Sequence, residues 1–136
     1  MFKKIMIIAG IGLISGCASN TKDQQPLSLE QTYQVEWIGE QPLIDRSMLT
    51  IHFGNDQRAN GLAGCNNWSS NFEVDGDKIR FNTPLTTRKM CAPALMEQEQ
   101  KFLKALEDVR TWRFNQQQQL ELWPSSGQPI KLWLQN

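Results

Sequence analysis

One histidine, His52, and one tyrosine, Tyr33, are all that this 136-residue chain has of those two residue types. A hydrolytic triad needs a serine, a histidine and a carboxylate to converge, and nothing in the sequence arranges that around His52. Within the alternating stretch Met48 to Phe53, His52 points away from Leu49, Ile51 and Phe53, which makes it a residue of a solvated strand face. A zinc site built from His52, Cys65 and Cys91 would lack the close ligand pairs such sites use. Asp75-Gly76-Asp77-Lys78 is a fragment of a calcium loop at most, because the regular earlier acidic ligands and the closing glutamate are missing. A Gly-rich phosphate-binding run is also lacking. So is a surplus of charge: 14 basic residues face 14 acidic ones, which leaves nothing to grip nucleic acid. These absences predict no enzyme activity, no metal, no cofactor and no nucleic-acid partner.

What is present begins at the amino terminus. Lys3 and Lys4 precede an apolar stretch from Ile5 to Ile14, too short for the roughly 20 residues of a spanning helix. The run Leu13-Ile14-Ser15-Gly16-Cys17 then resembles a bacterial lipoprotein signal. That resemblance implies cleavage after Gly16 and a Cys17 that carries a diacylglycerol thioether, with a third acyl chain on its amino group in many bacteria. The other reading is an ordinary secretory signal with an incidental cysteine. Two or more chains hold a protein stably to a membrane where one does not. Residues 1–16 are therefore expected to be a signal peptide. The remaining 136 − 16 = 120 residues, with a charge of 12 − 14 = −2, suffice for one domain.

No second apolar stretch long enough to span a bilayer follows, so the acyl chains at Cys17 would be the membrane contact. The polar stretch Ala18 to Pro26 carries nothing to bury, and residues 17–28 read as a lipidated flexible tether. Extended, it lifts the domain roughly 30 Å from the surface. By resemblance to lipoproteins of two-membrane cells, Ala18 in place of an aspartate favours the periplasmic face of the outer membrane.

With Cys17 assigned to lipid, Cys65 and Cys91 remain as an even pair in an oxidising compartment. A disulfide closing that loop would contribute about 3.5 kcal/mol on the chain-entropy account. Two buried thiols packed as small apolar residues are the alternative.

From Leu29 onward the pattern is strands with one late helix. Tyr33, Val35 and Trp37 alternate with polar residues, as do Leu49, Ile51 and Phe53. Arg58 to Cys65 and Trp68 to Val74 follow as strands. Asp75-Gly76 is the strongest hairpin signal, returning through Ile79 and Phe81. A helix begins at Pro93 and ends near Asp108, with Leu95, Phe102, Leu103 and Leu106 on one face and Met96 beside them. Thr111 to Phe114, Leu120 to Trp123 and Ile130 to Leu134 complete an antiparallel meander.

The run Gly61-Leu62-Ala63-Gly64-Cys65-Asn66-Asn67-Trp68, followed by Thr87-Arg88-Lys89-Met90-Cys91 and by Met96, Glu99, Phe102, Leu103 and Leu106, resembles the META domain family and its HslJ-like heat-inducible lipoproteins. The match also runs through Leu49 to Phe53, Glu73-Val74-Asp75-Gly76 and Leu120-Glu121-Leu122, and it covers about Leu29 to Leu134 of a domain expected over residues 29–136. It implies an α+β fold: a curved antiparallel β-sheet forming a partial barrel of about seven or eight strands, with one packed α-helix. It also implies roles in envelope stress or antibiotic tolerance, and no enzyme activity. Two departures stand out. Ser70 takes the place of the family's usual glycine, which would strain a left-handed backbone. Phe72 takes the place of a tyrosine and loses a hydroxyl.

Two further expectations concern sites. Glu99 projects toward the apolar helix face, where an unpaired carboxylate is costly, and Arg88 is its expected ion-pair partner, with recognition of another protein as the alternative role. In the last hairpin, Leu120 and Leu122 on one strand and Ile130, Leu132 and Leu134 on the other are expected inside, which turns Trp123 and Trp133 outward. An even register would make these tryptophans diagonal neighbours and part of a partner-binding patch, unless another segment covers that face. The whole is then expected to be a monomeric, non-catalytic lipoprotein that binds another envelope protein. The alternative is a carrier for an apolar, lipid-like ligand.

Overall fold

The computed structural model describes residues 25–136 and, before them, only Gly10, Gly12 and Gly16. Cys17, the rest of the signal segment and the tether up to residue 24 lie outside the described residues. Ten strands and one helix follow in order: β1 (Gln31–Ile38), β2 (Gln41–Pro42), β3 (Thr50–Phe53), β4 (Arg58–Leu62), β5 (Asn67–Asp75), β6 (Lys78–Phe81), β7 (Leu85–Thr86), α1 (Pro93–Asp108), β8 (Val109–Phe114), β9 (Leu120–Pro124) and β10 (Ile130–Leu134).

The strands do not stop at a partial barrel. Neighbour pairing runs β10-β9-β8-β6-β5-β4-β3-β1, and β1 then pairs with β10, so eight antiparallel strands close on themselves. Five residue pairs make that closing ladder, from Tyr33 opposite Leu134 to Ile38 opposite Ile130. Alternation within a strand shows which side is buried but not which distant strand lies beside it, so closure was hidden in the sequence. The two-residue strands β2 and β7 lie outside the ring, on β1 and β5. The thinnest seam joins β6 to β8 through Lys78 and Thr111. Closure removes the exposed edges on which other chains could template.

A barrel of eight strands has an interior that side chains can fill, and aromatic residues fill it here. Tyr33, Phe53 and Phe72 meet edge to face, with centroid distances of 5.8 and 5.3 Å. Phe81 lies against both Phe53 and Phe72. Such contacts add about 0.5–1.5 kcal/mol each beyond burial. Around them Leu49, Ile51, Ile79, Leu120, Leu122, Ile130 and Leu132 are all buried. Leu134, expected among them, is exposed because it stands at the barrel's rim.

Helix α1 covers the end of the barrel where β4 turns into β5. Pro93 opens it, and Phe102 and Leu106 are its buried apolar contacts. The Phe102 ring meets Trp68 edge-on at 5.8 Å. Two polar residues, Gln98 and Glu99, are buried on the same helix, whereas Leu95 and Met96 are only half-buried. The opposite end of the barrel receives the amino-terminal segment, with Leu27 packed into the core cluster. No helix among the described residues is long and apolar enough to cross a membrane.

Candidate functional site: a loop locked by the Gly-Cys-Asn run

The segment from β4 to β5 is shaped by two glycines. A Cβ at Gly61 would collide with the backbone carbonyl of Thr50, so only glycine lets β4 approach β3 this closely. Gly64 has φ +99, a backbone that side-chain-bearing residues avoid. The turn it creates is closed by the Ala63 amide donating to the Asn66 carbonyl at 2.8 Å.

Cys65 and Cys91 are joined by a disulfide, with Cα atoms 6.0 Å apart. One residue further on, Asn66 is the hub of the site. Its amide nitrogen and its side-chain nitrogen donate to the two oxygens of Glu99, at 3.0 and 2.9 Å. Its side-chain oxygen accepts from the Thr87 hydroxyl at 2.9 Å and from the Lys89 amide at 2.6 Å. Thr87 also binds the Asn67 backbone in both directions. Asn66, Glu99 and the disulfide thus clamp the loop of residues 82–92 onto both the barrel and α1.

This corrects the expected Arg88–Glu99 ion pair. Among the described residues no ion pair joins them: Glu99 is satisfied by Asn66, and Arg88 is exposed on the loop. A neutral partner serves because Asn66 offers two donors at once to a carboxylate that is 1% exposed. The cystine brings residue 65 to residue 91, so it also brings residue 66 to the first helical turns, and that step could have named Asn66. The role of Gln98 had no such signal. Its side chain accepts from the Ile44 amide at 2.7 Å and donates to Ser47 at 2.9 Å, pinning the loop before β3.

The two departures from the family pattern carry no strain. Ser70 does not have a left-handed backbone, and its hydroxyl donates to the Asn82 carbonyl at 2.6 Å. Phe72 packs its bare ring between Phe53 and Phe81.

On the outer face, the register of β9 against β10 pairs Lys131 with Glu121 and Leu132 with Leu120. Continued, it sets Trp133 opposite Gln119, four residues from Trp123, so the two tryptophans are not diagonal neighbours. Both do point outward, and Glu121 lies between them. Glu121 accepts from Arg113 at 2.8 Å and from the Trp123 indole at 2.9 Å, and the Arg113 guanidinium lies 4.6 Å from the centre of the Trp123 ring. Burial pushes the Glu121 carboxyl up. The hydrogen bonds from Arg113 and Trp123, the Arg113 charge and a bond from Asn115 outweigh it, so its pKa is lowered. Glu36, the extra residue of a bulge in β1, holds the other end of this face: it accepts from Gln119 at 2.7 Å and from Trp133 at 2.9 Å.

His52 is half-buried on the side of β3, with Thr32 at 3.1 Å and the Glu30 carboxylate at 4.0 Å. Among the described residues no three His, Cys, Asp or Glu side chains are grouped to hold a metal.

A closed antiparallel barrel with one helix fastened by a Gly-Cys-Asn turn defines the class, and comparison with known proteins agrees with it. A family model of the META domain matches residues 25–136, and the chain belongs to that family. An NMR structure of a protein from Burkholderia xenovorans is similar with a TM-score of 0.66 at 18% identity, over 79% of this chain and 83% of that one. A second NMR structure is similar with a TM-score of 0.61 at 22% identity, over 77% of this chain and 89% of that one. At these identities the likeness is one of fold. No curated protein matches the chain.

Proposed function

We propose that this META-domain protein is a non-catalytic binding module, anchored by lipid at Cys17 to the periplasmic face of the outer membrane, that offers the 82–92 loop to another envelope protein. The carrying observation is a contrast within that loop. Its backbone is held by the Cys65–Cys91 disulfide and by Asn66, yet Leu85 is 74% and Met90 89% exposed at its surface. Apolar side chains on a pre-ordered loop bind with little further ordering cost. Arg88, exposed between them, supplies charge selectivity and on-rate. The Cys65–Cys91 bridge supports an oxidising compartment. Envelope stress and antibiotic tolerance are the settings the family resemblance suggests.

Carriage of an apolar ligand inside the barrel has less support, because Tyr33, Phe53, Phe72, Phe81 and Trp68 occupy that space.

A photo-crosslinking amino acid at position 90, introduced in growing cells, tests the reading. One envelope protein should be captured, and Leu85→Asp should abolish capture while leaving the melting temperature unchanged. Capture that ignores Leu85→Asp, or none at all, defeats the proposal. Replacing Trp123 and Trp133 together with threonine distinguishes the loop from the outer face. Loss of capture without loss of folding would transfer the contact to the tryptophans.

A further inference from the structure

At the barrel end opposite α1 there is an open apolar cleft of about 410 Å³, lined by Pro26, Leu27, Leu29, Val74 and Trp112, with Gly76 and Asp77 at its edge. Its origin lies in the strand pattern. Trp68, Ser70 and Phe72 on β5 face inward and are buried; Val74 continues the same row past the rim and is 41% exposed. Trp112 forms the floor, its indole donating to the Gly76 carbonyl at 2.9 Å. Leu29 stands 45% exposed at the mouth.

What could fill this cleft is indicated by where the chain leaves it. Pro26 and Leu27 are part of its wall, so the segment that leads back to Cys17 starts from the cleft itself. Only the eight residues Ala18–Gln25 intervene. They span at most about 29 Å, and a linker this short gives a group at its far end an effective concentration in the millimolar range. The surroundings select among apolar occupants. A concave apolar wall suits a chain better than a flat sheet of headgroups, and Asp77 in the lining disfavours an occupant that carries negative charge there. Two acyl chains suffice for stable anchoring, which leaves a third free for another site.

We propose that this cleft is the docking site for an acyl chain carried by Cys17, so that the tether folds back and holds the barrel mouth-down on its own anchor. The inference rests on the lipid anchor of the proposed function, and goes beyond it by assigning a seat for the lipid and an orientation to the domain. On strand β5, five residue steps, about 17 Å, separate Val74 in the cleft from Ser69, which stands opposite Leu85. Docking therefore turns the exposed loop away from the membrane.

Cells expressing the full chain are fed a palmitate analogue that carries a diazirine and an alkyne, illuminated, and the purified protein is mapped by mass spectrometry. The expected product joins the Cys17 acyl chain to peptides containing Leu29, Val74 or Trp112. Val74→Asp places a carboxylate in the cleft and should lower that product about tenfold; Leu85→Asp, at the other end, should not change it. Incorporation at Cys17 with adducts only to phospholipid, to other proteins or to the far end of the barrel overturns the cleft while leaving the anchor intact. Yield that survives Val74→Asp overturns it too. Absence of the analogue from Cys17 removes the anchor, and the docking site with it.

Discussion

The two ends of the barrel are closed by different chemistry. At the helix end a disulfide, a buried carboxylate and a fully bonded asparagine fix one loop in place. At the tether end closure depends on Leu27, on hydrogen bonds between Ser28 and Tyr33, and on the Glu30 amide bonded to Phe53, and an apolar cleft stays open beside them. The Gly-Cys-Asn run, Thr87 and Glu99 all form their specific bonds at the first end. These residues report how the loop and helix are fastened, and the exposed Arg88 and Met90 are carried by that fastening without taking part in it.

The largest test of this contrast is to cut the covalent link. Cys65→Ser with Cys91→Ser should destabilise the domain by about 3.5 kcal/mol in chemical denaturation, with a steeper transition slope because the unlinked unfolded chain exposes more surface. A loss below about 1 kcal/mol would mean that the polar contacts suffice, and the helix end would no longer differ in kind from the other.

Removing the polar hub should come next. Asn66→Ala leaves the Glu99 carboxylate buried without the two donors it now has, and strands the Lys89 amide and Thr87 hydroxyl. An expected cost of about 2–3 kcal/mol follows from unsatisfied buried groups. Glu99→Gln in the Asn66→Ala background should recover part of it, since a neutral amide is cheaper to leave unpaired than a carboxylate. No recovery would place the cost in the turn geometry instead of the carboxylate.

These residues also mark where sequence reasoning reached and where it stopped. Strand and helix positions were legible because alternation and helical spacing are local: β3, the Asp75-Gly76 hairpin and α1 fall where the pattern put them. Pairing across the chain was not. The β1–β10 ladder joins residues about a hundred positions apart, and no periodicity encodes it. The short strands β2 and β7 have too few residues to show a period. At the site, burial of Glu99 followed from its place on the helix, but the choice of Arg88 assumed that a buried acid requires a base. Asn66 satisfies it with geometry instead. For the last hairpin, parity correctly turned Trp123 and Trp133 outward, whereas their distance depended on a register that only the ladder fixes.

The outer face between the two ends gives a pH-dependent test. The Glu121 pKa is lowered in the folded state, so its contribution is present above the unfolded value and is lost as pH falls through the folded one. Glu121→Gln should make the domain less stable at neutral pH and shrink that difference in acid, read as melting temperatures from pH 7 downward. A constant difference would mean that Glu121 acts by shape alone, and that Arg113 contributes no charge-dependent bond.

The smallest expected effect belongs to the tether end. Val74 lies beyond the rim, so Val74→Thr keeps the β-branched shape that suits a strand, exchanges a methyl for a hydroxyl, and finds solvent within reach. In the domain without its lipid anchor the cost should stay within about 0.5 kcal/mol, the range of ordinary surface substitutions. The same change buried among Phe53, Phe72 and Phe81 would leave a hydroxyl without a partner and cost several times more. A loss above about 1.5 kcal/mol in the full-length lipidated protein would therefore show that Val74 is covered there. If that loss disappears when Cys17 is replaced by serine, the cover is the anchor itself. If it persists, protein atoms close the mouth, and the two ends of the barrel are more alike than their chemistry indicates.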